Sequence, residues 1–265
     1  MQRSTDRILT THAGSLPRPD DLTALMIDVA TGKQVDQAAL DARVREAVCD
    51  VVARQREVGV DIVSDGEMGK IGFTDYVRQR YGGFGGRVAS ADVAVLDLIE
   101  VPELFPVVMG GELLQRIAPP VTSEALSADG HDAMDREISD LRDALGGASP
   151  DQAFISAVTP GQVAYYHPNR YYDSLDSYLK AAADLLGSEY WAIIAAGFNL
   201  QLDSPEAAMA HHFIISDGPG PDALDRLEAS TDALNQALEG LPPEIQRRHG
   251  VRRARRASAG ARSLQ

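Results

Sequence analysis

What most restricts the fold of this chain is a rhythm: short apolar runs alternate with long helices that carry one apolar stripe and end at a glycine. Asp36 is placed to cap a helix whose stripe is Leu40, Val44, Ala47, Val48, Val51, Val52 and Val58, with Gly59 as its stop. Val60 to Ser64 then reads as a strand running into Asp65-Gly66-Glu67. The rhythm returns at Phe154 to Val158, which breaks at Thr159-Pro160-Gly161 before a helix capped by Ser174 and closed by Gly197. Leu175, Tyr178, Leu179, Ala182, Leu185, Leu186 and Ile193 form its buried stripe, and Phe198 to Asp203 is the following strand. A further helix is expected from about Pro221 to Glu239, and Arg7 to His12 reads as a buried strand entering the Gly- and Pro-punctuated loop 13–19.

Strands separated by long helices need crossover connections, so they build a mostly parallel sheet whose apolar faces the helices cover. The fold class is α/β. Polar residues gather just past the strands, at His12 to Ser15, Asp65 to Glu67, Thr159 to Gln162 and Asp203, where barrels and open α/β sheets place their sites. Residues 89–111 are less regular, with one strand expected near Pro106 to Met109 and a helix at Asp132 to Leu145.

Composition narrows the function. A single cysteine, Cys49, excludes an internal disulfide scaffold, and no apolar run approaches the ~20 residues that cross a bilayer. The start, Met1 to Asp6, lacks the apolar core of a secretion signal, so a cytoplasmic protein with no membrane partner is expected. A net charge of −14 disfavours nucleic acid as the main partner. That charge is uneven: residues 246–265 hold seven Arg and no acid, leaving about −21 on the rest. The expected organisation is a domain over 1–245 and a basic unstructured tail over 246–265.

Three residues stand out by position. Ser15 is either a ligand-binding hydroxyl or a turn residue, and Glu67 either grips an ammonium or is a solvated loop acid. Asp203 ends an otherwise buried strand and needs a partner, either a substrate amine or an internal base such as Arg170. His211-His212 reads as structural or solvated, because adjacent side chains seldom share one ion. Gly82 to Gly86 reads as a flexible loop; Arg78, Arg80, Tyr81 and Phe84 beside it are placed to close over a ligand. Cys49 reads as packing within a helix.

Together, Thr10-Thr11-His12-Ala13-Gly14-Ser15-Leu16-Pro17-Arg18-Pro19, Gly59-Val60-Asp61-Ile62-Val63-Ser64-Asp65-Gly66-Glu67 and Leu200-Gln201-Leu202-Asp203-Ser204-Pro205 resemble the cobalamin-independent methionine synthase family. The resemblance is to its C-terminal catalytic barrel and its short single-barrel relatives, and covers residues 7 to about 249. It implies a TIM-type β/α barrel of eight strands. It also implies a zinc ion, held by His, Cys, Glu and Cys, that turns the homocysteine thiol into a thiolate for attack on a methylated reduced folate, with no cobalamin. Matched by motif, Ser15, Glu67 and Asp203 bind the amino acid; no catalytic acid or base is assigned.

The departures are as informative. His249 is in register with the first zinc ligand, but Val251 stands where a cysteine belongs, and the remaining two ligands have no counterpart. About five strands precede Gly240, so an incomplete barrel is expected, with self-association through its open edges. A one-base insertion after the His249 codon would account for the basic tail. The expectation is a zinc-dependent S-methyltransferase impaired by loss of zinc. The alternatives are a non-catalytic ligand-binding remnant or a related barrel, such as a coenzyme M transferase or a decarboxylase using the Arg-bearing loop 78–87.

Overall fold

The computed structural model describes residues 4–72, 76–86, 93–95, 100–104, 120–128, 131–209, 213–215 and 223–242. In chain order the first elements are α1 (Asp20–Ala30), α2 (Gln37–Glu57), β1 (Val63–Ser64), α3 (Tyr76–Arg80), β2 (Gly82–Gly85) and β3 (Val93–Val95). They are followed by β4 (Val121–Ser127), α4 (His131–Leu145), β5 (Ala153–Val158), α5 (Pro160–Tyr166) and α6 (Leu175–Ala195). The last are β6 (Asn199–Asp203), α7 (Pro205–Met209), β7 (Phe213–Ile215) and α8 (Ala223–Ala237).

The α/β reading is met by a parallel sheet ordered β1-β5-β6, with Val63 opposite Ala153 and β5 paired to β6 from Phe154–Asn199 through Val158–Asp203. Thr11 adds a parallel bridge to Ile62. The lateral order Thr11, β1, β5, β6 therefore follows the chain, and among the described residues this sheet does not close. β5 is buried at every position, packed against α6, whose Tyr178, Leu186, Tyr190 and Ile193 are fully buried. Each such side chain contributes about 1.5–3 kcal/mol by leaving water.

The helices start as their sequences dictate. Asp36 Oδ1 accepts from the N–H groups of Ala38 (2.9 Å) and Ala39 (3.2 Å) at the start of α2. At α6, Ser174 Oγ accepts from Ser177 N–H at 3.1 Å while Ser177 Oγ accepts from Ser174 N–H at 3.1 Å, a reciprocal capping box.

Three expectations change. The segment 7–12 is not a buried strand: it makes only the Thr11 bridge, Ile8 is 84% exposed, and Asp61 fastens it through Arg7 (2.8 Å) and the Thr10 N–H (2.8 Å). Val58 leaves the α2 stripe because the helix ends at Glu57, and it is 71% exposed. Gly82 to Gly85 is a strand, β2, paired antiparallel with β4, and a Cβ on Gly83 would lie 2.8 Å from the Ala125 carbonyl oxygen. Glycine permits that approach and also the φ of 100°. The strand expected at 106–109, the pair His211-His212, His249 and the tail 246–265 lie outside the described residues.

Candidate functional site

Parallel strands end on one side, so the loops after Thr11, β1, β5 and β6 share one edge of the sheet. The Asp65-Gly66-Glu67 turn is the most constrained of them. Glu67 has φ 58°, a left-handed conformation rare for a side-chain-bearing residue, and its N–H donates to Asp65 Oδ1 at 3.0 Å. The Leu16 N–H donates to the Gly66 carbonyl at 3.0 Å, and Arg18 Nη2 donates to the Glu67 carbonyl at 2.7 Å. These bonds join the Ser15 loop to the turn.

The joined loops bring two of the singled-out residues into contact. Ser15 Oγ donates to Glu67 Oε2 at 2.5 Å, and Ser156 Oγ, on β5, donates to Glu67 Oε1 at 3.2 Å. Ser15 is exposed and Glu67 buried. Asp203 stands at the end of β6, opposite Val158, and accepts from Gln201 Nε2 at 3.0 Å. Burial raises the Asp203 carboxyl and the charge of Glu67 raises it further, against the Gln201 hydrogen bond and Lys70. Asp203 thus feels the Glu67 charge. His12, on the same edge, has a buried Nε2 with no hydrogen-bond partner among the described residues.

A second, largely buried set lies behind the turn. Lys70 Nζ donates to the Ser156 carbonyl at 2.7 Å and pairs with Glu137 at 2.6 Å. Arg80 pairs with Glu137 at 2.5 Å and with Glu189 at 3.0 Å. Glu189 also accepts from the hydroxyls of Tyr76 (3.2 Å) and Tyr81. Despite burial, Lys70 and Arg80 hold the Glu137 carboxyl down at about 2. Asp65, without an ion pair of its own, is pushed up to about 7 by burial, with Lys70 opposing and Glu137 adding to the rise.

This corrects one expectation: Arg80 and Tyr81 are core residues bound to Glu137 and Glu189, so they do not close over the Ser15–Glu67 edge. Phe84 packs on His167 with ring centroids 4.8 Å apart. Sequence reasoning missed Ser156 and Lys70. Ser156 had a signal, as the lone polar residue of the Phe154 to Val158 run, whereas Lys70 looks like any loop lysine until the fold buries it.

The zinc implied by the resemblance can be tested against donor chemistry. Among the described residues no group of three or more His, Cys, Asp or Glu is arranged to hold a metal. Cys49, the chain's only cysteine, sits on α2 with its thiol pushed up by burial and by Asp140 and Asp143, opposite to an activated thiolate. The described residues do not fit the ion. Nor, among them, is any helix long and apolar enough to cross a membrane.

Residues 8–129 match the family model described as the catalytic domain of cobalamin-independent synthase. The fold is similar to a B12-independent methionine synthase from Shewanella sp. W3-18-1, solved with selenomethionine. That likeness has a TM-score of 0.61 at 18% identity, over 88% of this chain and 58% of that one. It is likewise similar to a candidate vitamin-B12-independent methionine synthase from Listeria monocytogenes, with TM-score 0.61 and 16% identity over 90% of this chain and 64% of that one. The chain therefore spans less than two thirds of either structure. Residues 8–129 are thus similar to the catalytic domain of the cobalamin-independent synthases, and the chain shares its fold with these two structures.

Proposed function

We propose that the edge formed by Ser15, Glu67 and Asp203 binds a small zwitterionic thiol of the homocysteine type. The reaction class is methyl transfer to that thiol from a reduced folate, without cobalamin. The observation that carries this reading is the Ser15–Glu67–Ser156 hydrogen-bond chain, with Asp203 close enough to feel the Glu67 charge. Glu67 receives only neutral hydroxyl donors at its carboxylate, so it has charge to offer an ammonium. Asp203 offers a second carboxylate across the edge, and Ser15 can turn its exposed hydroxyl from Glu67 to the ligand. In this reading the sheet is part of an open barrel wall, and its free edges are where copies of the chain associate.

Zinc, where bound, acidifies a thiol. Within the described residues no ligand set fits it, so the steps assigned to this chain are recognition and orientation of the amino acid. That observation favours a second reading, a barrel that binds the amino acid without turning it over. Titration calorimetry of the metal-free protein with homocysteine and methionine, followed by a methyl-transfer assay with methylated folate and added zinc, separates them. Binding with turnover supports the transferase, binding without turnover the non-catalytic reading, and absence of both removes the site.

A further inference from the structure

Behind the Asp65-Gly66-Glu67 turn, α1, α2, α3 and α4 enclose a cavity of about 330 Å³, at the lower end of the range for small-molecule sites. One wall is apolar, formed by Met26, Val29, Leu40, Val44 and Val48. Asp65, Arg80 and Glu137 also line it.

The lining charges are not evenly matched. Glu137 is held by Lys70 and Arg80, Asp140 pairs with Arg45 at 2.8 Å, and Asp41 pairs with Arg136 at 3.5 Å. Among the lining carboxyls, Asp65 alone has no cation at ion-pair distance, although it is only 2% exposed. Independently, Arg80, which is 6% exposed, keeps its Nε with no hydrogen-bond acceptor among the described residues. The site thus holds a buried carboxyl whose neighbours are Glu137 and the Glu67 N–H rather than a paired cation, beside a buried guanidinium with one N–H lacking an acceptor.

We propose that this cavity binds a small amino alcohol or amino amide, its ammonium on Asp65, its neutral oxygen on Arg80 and its apolar chain along α2. The inference does not depend on the function proposed for Ser15, Glu67 and Asp203. Because the Glu67 N–H donates to Asp65, a ligand there also bears on the strained turn that positions Glu67.

The groups facing Asp65 are Lys70, Glu137 and the Glu67 N–H. Burial, with Glu137 adding to the rise, holds the Asp65 carboxyl well above the usual carboxylate range, so an arriving ammonium displaces proton from it. The test is calorimetry and thermal unfolding of the full chain with 2-amino-1-hexanol, n-hexylamine, 1-hexanol and hexanoate. Expected are saturable binding of the amino alcohol, weaker binding of the amine, no binding of the alcohol or acid, and net proton release on binding near pH 7, read in buffers of different ionisation enthalpy. Asp65→Asn should weaken the amino alcohol by at least about tenfold, and Val44→Phe, which fills the cavity and leaves Asp65 intact, should abolish binding. If Asp65→Asn does not fold, the Val44→Phe and proton-release results decide. No saturable binding, equal binding of the plain alcohol, preference for hexanoate or undiminished binding by Val44→Phe overturns the proposal.

Discussion

Glu67 and Asp65 are two residues apart on one turn, yet their surroundings differ in kind. Glu67 at the sheet edge meets the hydroxyls of Ser15 and Ser156, whereas behind the turn Lys70, Glu137, Arg80 and Glu189 form a chain of ion pairs that carries its own balance. Buried ion pairs are expensive to assemble and more expensive to break, so the rear network fixes the frame. A carboxylate held only by neutral donors keeps its charge available. One side of the turn is tied into this ion-pair frame and the other presents the Glu67 carboxylate, and Ser156 joins them, its carbonyl taking Lys70 and its hydroxyl reaching Glu67.

The harshest way to break this contrast is Lys70→Met. It strands Glu137 beside a single guanidinium and leaves the Ser156 carbonyl without its Lys70 donor, at a cost of about 3–5 kcal/mol in urea unfolding. A loss below about 1 kcal/mol would mean that the rear network does not hold the frame.

Acidity sharpens the same contrast. Asp65 is raised from 3.8 to about 7 on folding, so the folded state binds its proton more tightly than the unfolded chain. Its contribution to stability is therefore complete below about pH 4 and is lost as pH rises to about 7, by up to ~4 kcal/mol. Asp65→Asn keeps an oxygen for the Glu67 N–H and removes the titration. Its stability should match the parent at pH 4 and exceed it at pH 8, as read from thermal melts; parallel profiles for the two proteins would contradict the burial argument.

Glu67→Gln probes the other side. It keeps acceptor geometry for one hydroxyl and removes the charge, so homocysteine affinity should fall about 100-fold, roughly 2.7 kcal/mol, while stability shifts by less than about 1 kcal/mol. A large stability loss with unchanged affinity would reverse the roles of the two sides.

How much of this was legible depends on distance along the chain. Local signals carried through: the caps at Asp36 and Ser174, the stripe of α6 and the apolar run of β5 all formed as their residues dictate. The Val58 error was also local, since a valine at the right spacing was counted past the end of its helix. β2 was hidden because glycines read as flexibility, while their actual use is the close approach of β4, whose partner lies some forty residues away. Ser15, Glu67 and Asp203 were picked out by position after a strand. Their support was not, because the burial of Lys70 and Arg80 is decided by Glu137 and Glu189, far along the chain.

The smallest expected effect tests whether Ser15 acts on the ligand or only on Glu67. Ser15→Ala removes one hydroxyl donor to the Glu67 carboxylate at an exposed position where water can replace it, so stability should change by at most about 0.5 kcal/mol. Affinity for homocysteine should fall by about three- to tenfold. Combining the substitution with Glu67→Gln separates the two roles. If Ser15 only orients Glu67, the double variant binds as weakly as Glu67→Gln alone, because the oriented charge is already gone. If the hydroxyl meets the ligand directly, the two losses add. Additivity would make Ser15 a ligand contact in its own right, and an affinity unchanged in Ser15→Ala would leave Glu67 and Asp203 to define the site.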